Sequence, residues 1–188
     1  MPYTIFNGQG TMKLRALLLS ALLLAGPAQA QSLPADHRQL LDTMNENGVR
    51  VYINFPPQVC VDGRADGAYI GYNGSSNLVV CQDGYDMGDD TSVVDWSAND
   101  LDTIRHEAIH ATQDCAVGTN YDNELALIFP SLPEVVARLG VDRAKEIARV
   151  YAERGADKET ILLEFEAFYA ATYLTASQIE EIYVLYCK

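Results

Sequence analysis

His106-Glu107-Ala108-Ile109-His110 stands near the middle of the 188-residue chain and holds two of its three histidines. Residues four apart on a helix lie on one face, one turn above the other. Two imidazoles so placed can each offer a nitrogen to one Zn²⁺, at about 2.0–2.1 Å. Glu107, the next residue after the first histidine, lies beside such an ion without binding it. There it can take a proton from water whose pKa the metal has lowered to about 7. The alternative is a pair of ordinary core or surface histidines.

The flanking residues make the same stretch a helix. Ser97 and Asn99 are both suitable N-caps, and Asp100 and Asp102 fall where a first turn favours acids. Leu101, Ile104, Ala108 and Ala111 form an apolar stripe that seats the helix in a core, and the pattern runs to about Asp114. A loop over 116–121 then leads into an Ala/Leu-rich segment ending at Pro130.

Upstream, 34–46 is helical in pattern and stops at Asn47-Gly48. Residues 49–54 alternate as a half-buried strand, ended by Pro56-Pro57. Residues 67–72 and 77–82 read as two strands joined around Asn73-Gly74, a hairpin signal. Downstream the chain is helical throughout. Ser131 caps a helix with Pro133 in its first turn that ends at Gly140. The next spans 141–154, stopped by Gly155. A long helix runs from Asp157 to about Leu174, and Ser177-Gln178-Ile179-Glu180 reads as a capping box opening the last. The expectation is one α+β domain over 31–188, a small antiparallel sheet or hairpin followed by a mostly helical part.

Residues 1–30 read as a cleaved signal. Lys13 and Arg15 precede an apolar run over 16–25, Pro27 breaks it, and Ala28-Gln29-Ala30 has the form of a peptidase site. Met12 opens a conventional signal of this kind. The run is short of the ~20 residues that span a bilayer. Export to the periplasm or the exterior follows, with no membrane span after cleavage. Removing residues 1–30 takes two of thirteen basic residues and no acidic one, moving the net charge from −13 to −15. Such a body repels nucleic acid and anionic membrane and favours cationic ligands weakly.

Four cysteines in an exported chain read as two disulfides. Cys60–Cys81 would staple the β-segment, and Cys115–Cys187 would tie the last helix to the end of the histidine helix. A four-cysteine zinc site is the alternative, but no C-x₂-C pair is present. The acids from Asp83 to Asp102, with Gly84 and Gly88, raise the possibility of a Ca²⁺ loop. Their spacing departs from the EF-hand pattern, and a solvated acidic loop is the commoner outcome.

A catalytic zinc takes three protein ligands and keeps one position open. Gln113 and Ala116 stand where a metzincin would carry a glycine and a third histidine, which excludes that class. His37 or a carboxylate must serve. Glu166 is favoured because Leu162, Phe165, Tyr169 and Tyr173 share its face of the helix, and a carboxylate there needs a partner. Glu164, about 200° round the helix, is the alternative. Tyr169, Tyr173 and Tyr121 are candidates for a donor to the tetrahedral oxyanion.

H-E-x-x-H with a later helical glutamate followed by a small residue, Glu166-Ala167, resembles the gluzincin group of zinc metallopeptidases. The resemblance covers His106–His110 and roughly Glu164–Ala171. It implies a zincin-like active-site helix, His106, His110 and Glu166 as zinc ligands, Glu107 as general base, and a peptide or protein substrate. Ala170 departs from it, since thermolysin-like members carry there an aspartate that orients a histidine. Small zincins commonly bind substrate as an added strand, for which Leu78-Val79-Val80 is the candidate edge. The alternative is a hairpin that only covers the core. Gly118-Thr119-Asn120-Tyr121-Asp122 faintly resembles the aspzincin element, making Asp122 a further candidate ligand, as is Glu124. A zinc-stabilised binding module without turnover, or a zinc amidase acting on cell-wall material, are the other functions this sequence allows.

Overall fold

The structure, a computed structural model, describes residues 32–55, 57–60, 65–72, 74–85, 94–118 and 124–188. The expected signal and Asp122 lie outside these residues. The elements run α1 (Ala35–Glu46), β1 (Val49–Ile53), α2 (Pro57–Cys60), β2 (Gly67–Tyr72), β3 (Ser75–Val80), α3 (Ala98–Val117), α4 (Leu132–Leu139), α5 (Val141–Glu153), α6 (Lys158–Tyr173) and α7 (Ala176–Cys187). This is the α+β arrangement read from the sequence, with a three-stranded sheet ahead of a mostly helical part.

The sheet order is β1-β3-β2. The β2–β3 hairpin pairs antiparallel, Gly67 opposite Val80 and Tyr72 opposite Ser75, while β1 joins β3 in parallel. Leu78, Val79 and Val80 are almost wholly buried, so both faces of the sheet are covered there, and β3 is paired along both edges. They are therefore not the free edge expected of them. On the side of α3 that edge is β2.

α3 is the axis of the molecule, packed against β2 and β3 as well as α6 and α7. Ser97 caps it in a capping box with Asp100. Its apolar stripe is buried as the spacing required, and Ile104, Ala108 and Ala111 join Leu40, Met44, Leu78, Val80, Ile179 and Tyr183 in the main core. Of the acids weighed for calcium, Asp83 accepts from Ser97 Oγ and Asn99 Nδ2, Asp100 accepts from the Asp83 and Ser97 backbone N–H groups, and Asp102 pairs with Arg105. These carboxylates anchor the start of α3; Asp86, Asp89 and Asp90 lie outside the described residues.

A second core, Val135, Leu139, Ala144, Ile147 and Phe165, fixes α4 and α5 against α6. The last helix starts earlier than expected, because Thr175 and Gln178 form its capping box in place of Ser177 and Glu180. Disulfides Cys60–Cys81 and Cys115–Cys187 are both formed. Among the described residues no helix is long and apolar enough to cross a membrane. The two bonds fit an oxidising compartment.

Candidate metal centre

His106 and His110 project from α3 toward α6, where Glu164 meets them. His106 Nε2 lies 3.1 Å from His110 Nε2 and 3.1 Å from Glu164 Oε2, and His110 Nε2 lies 3.4 Å from Glu164 Oε1. A tetrahedral ion with ligand bonds of 2.0–2.1 Å has edges of about 3.3–3.4 Å, so the three groups stand at the spacing of ligands around a single ion. All three are nearly buried, and Glu164 Oε2 lies 3.1 Å from His106 Nε2 without a hydrogen bond of ordinary geometry to it. A buried carboxylate left so is costly unless a cation satisfies it. This His-His-Glu group could hold a metal ion.

The third member is thus Glu164, and the preference for Glu166 is corrected. Glu166 is fully buried, yet it is already satisfied. It accepts from the backbone N–H groups of Ile128 and Phe129, each at 2.9 Å, and from Gln113 Nε2 at 3.0 Å. The premise that a carboxylate on so apolar a helix needs a partner was sound. Peptide N–H groups of the 124–130 segment supply it, where a metal was expected.

Glu166 nonetheless acts on the site through Gln113. Gln113 Nε2 donates to Glu166 and to the Leu163 carbonyl, which fixes the amide so that Oε1 faces His110 Nδ1 at 2.8 Å. Oε1 can only accept, so His110 carries a proton on Nδ1 and turns Nε2 to the cluster. The orienting partner missing at Ala170 is therefore Gln113, from the metal helix itself.

Glu107 is buried beside the cluster, and burial raises its pKa against the opposing pull of His106 and His110. The Tyr69 backbone N–H of β2 donates to it. Tyr69 Oη also donates to Asp114 Oδ2 at 2.7 Å and accepts from Ser76 Oγ at 2.9 Å, bolting the hairpin to α3. The approach is close at Gly67. A Cβ there would stand 2.6 Å from Thr103 Cγ2, 2.7 Å from the Val79 carbonyl oxygen and 3.3 Å from Glu107 Cγ, so only glycine fits.

Burial alone would depress His110, but the Glu164 carboxylate outweighs it and pushes this imidazole up to about 9. Burial would raise Glu164, yet His106 and His110 hold it well below the usual carboxylate range.

The cluster opens on a cleft of about 510 Å³ lined by Gly67, Thr103, His106, Glu107, Tyr151 and Phe168, with Arg143 and Arg154 on the α5 wall. Tyr151 is the functional candidate that sequence reasoning missed. Its hydroxyl is held well above the ordinary phenol range by burial and then by Glu164, to which it hydrogen-bonds. No sequence signal marks it, since it is one tyrosine on an amphipathic helix thirteen positions before Glu164.

The other candidates point elsewhere. Tyr173 is half exposed and donates to the Arg138 carbonyl at 2.8 Å, and Tyr169 packs on Phe129 and Tyr173. His37 is buried on α1, where Nε2 accepts from Arg105 at 2.8 Å and Nδ1 meets Asp36 at 2.9 Å. Both ring nitrogens are taken, so it supplies no ligand here. Glu124 is exposed outside the cluster, and Asp122 and Tyr121 lie outside the described residues. No known family, no curated protein and no solved structure matches the chain.

Proposed function

We propose that the protein is an exported zinc-dependent hydrolase acting on peptide bonds, with His106, His110 and Glu164 as ligands and Glu107 as general base. The observation that carries this reading is the convergence of three buried ligand atoms at 3.1–3.4 Å with a fourth side chain, Glu107, buried beside them and outside the ligand set. A purely structural zinc site is closed by four protein ligands and needs no adjacent base. Zinc is favoured over harder cations by the two imidazole donors and the near-tetrahedral spacing.

When bound, the zinc supplies Lewis-acid polarisation of the scissile carbonyl and a more acidic water. Glu107, with its pKa raised by burial, takes the water's proton and passes it to the leaving amine. Tyr151, kept protonated, donates toward the oxygen on which charge develops. Gln113 holds His110 in the tautomer whose Nε2 faces His106 and Glu164. β2, an edge strand whose first residue lines the cleft, offers a backbone edge along which an extended peptide can add.

The test is Glu107→Gln. It is expected to keep stoichiometric zinc while losing roughly 10²–10⁴-fold in hydrolysis of a denatured-protein or peptide-library substrate. Equal inactivity of wild type and variant across a broad library would move the reading to a zinc-stabilised binding module. Clearing of cell-wall material, in place of peptides, would move it to an amidase.

A further inference from the structure

The chain is strongly acidic, yet the cleft wall opposite the hairpin is not. Residues 138–158 hold six basic and four acidic side chains, net +2 in a chain of net −13. Two of these cations face the cleft from α5 and its end, Arg143 and Arg154. Their positions, with Ile147 and Tyr151 between them, follow steps of four, four and three, which places all on one helical stripe.

Each guanidinium is held over an aromatic ring of the site. Arg143 lies 5.3 Å from the centroid of Phe168, whose ring meets that of His106 at 4.6 Å. Arg154 lies 5.9 Å from the centroid of Tyr151, the residue bonded to Glu164. Among the described residues neither forms an ion pair. Of the acids that line the cleft, Glu146 pairs with Arg149 while also feeling Arg143, Asp102 pairs with Arg105, and Glu107 belongs to the metal group. Asp66 lines the opposite side of the cleft, ahead of β2. The aromatic seats hold the guanidiniums in place while leaving their N–H groups to a ligand.

We propose that Arg143 and Arg154 make this a cleft for carboxylate-bearing peptides, with acidic side chains received on both sides of the metal group. The proposal rests on the hydrolase reading for what happens to the bound peptide, but not for the binding itself. The two arginines are eleven residue steps apart, about 16 Å along the axis. An extended peptide covers that span in about five residues. The acidic positions should therefore lie about five apart, with the scissile bond between them.

The experiment uses fluorescein-labelled octapeptides, amidated at the C-terminus, with glutamate or lysine at the second and seventh positions of an otherwise neutral sequence. Their anisotropy is followed on zinc-loaded Glu107→Gln protein, which holds peptide without turning it over. The glutamate peptide is expected to bind roughly tenfold tighter at low salt, two partly exposed ion pairs being worth about that. Arg143→Gln with Arg154→Gln should bring the ratio within about twofold, and Arg143→Lys with Arg154→Lys should keep most of it. A neutral peptide with a free C-terminus tests the other source of a carboxylate. If it alone shows the arginine-dependent gain, the cleft takes chain ends.

Equal binding of the glutamate and lysine peptides, binding of neither, or a preference that survives both glutamine substitutions would overturn the proposal. Wild-type cleavage of the same peptides separates the two readings. A preference without cleavage removes the hydrolase and keeps the acidic-peptide cleft, and indiscriminate cleavage does the reverse.

Discussion

Glu164 and Glu166 stand two residues apart on one buried helix, and their loss should be told apart by zinc. Alanine at Glu166 leaves three N–H bonds in or at the edge of the core unsatisfied, those of the Ile128 and Phe129 backbone and one of the two on Gln113 Nε2, whose other donates to the Leu163 carbonyl. At about 1 kcal/mol or more for each, the loss is about 3 kcal/mol at least. For a domain of this size that is a fall in Tm of roughly 6–12 °C, and it appears with or without metal. Alanine at Glu164 removes the carboxylate that meets His106, His110 and Tyr151. In chelator its Tm should fall as well, because His106 and His110 lose their counter-charge, but zinc affinity should fall by more than the roughly 10–100-fold that loss of an outer partner costs, which sets it apart from Glu166. Glu166→Gln keeps an acceptor oxygen, so it should fold, bind one zinc and lose affinity only within that smaller range. The assay is a thermal melt in chelator and in excess zinc, with metal content measured by mass spectrometry on the folded protein. Stoichiometric zinc in Glu164→Ala, together with its loss from folded Glu166→Gln, would refute the assignment.

Three further outcomes follow from the same geometry. Tyr151→Phe should lower kcat roughly 10²-fold with KM little changed, and an equal rise in KM with kcat intact would remove the hydroxyl from the reaction. Gly67→Ala drives a Cβ against the Val79 carbonyl and Thr103; moving β2 off α3 should cost about 1–3 kcal/mol and weaken catalysis through Glu107, and an unchanged melt would show the contact to be slack. In the metal-free protein His110, raised to about 9, adds stability that is full below its unfolded value near 6.5 and lost as pH rises through 9. Glu164, held low, adds stability that is full above its unfolded value near 4.5 and lost as pH falls. Zinc requires neutral His110, so the gain in Tm on adding zinc should widen between pH 6 and 9. A gain that stays flat over that range contradicts the Glu164–His110 coupling.

Much of this protein is local and was legible as such. The capping residues, the glycine and proline stops and the 3.6-residue apolar stripe are properties of neighbouring residues. They placed α1, α3, α4, α5 and α6 within a few residues. The pair His106 and His110, with Glu107 between them, is equally local, because a helix alone sets their spacing. The hairpin could be read from Asn73-Gly74, and the cysteine pairing from which segments had to lie together.

What the sequence could not decide is which faces meet. α6 is buried on nearly every side, so it has no apolar stripe to distinguish Glu164 from Glu166, and only its packing against α3, α5 and the 124–130 segment separates a ligand from a carboxylate held by peptide N–H groups. The same holds for Gln113, Tyr151 and the two arginines, each ordinary in its own helix. β3, apolar only over Leu78-Val79-Val80, looked like an edge until β1 added in parallel beside it. Periodicity fixes a residue's angle about its own helix or strand; the partner at that angle comes from the path of the chain between distant segments, and no local pattern encodes it.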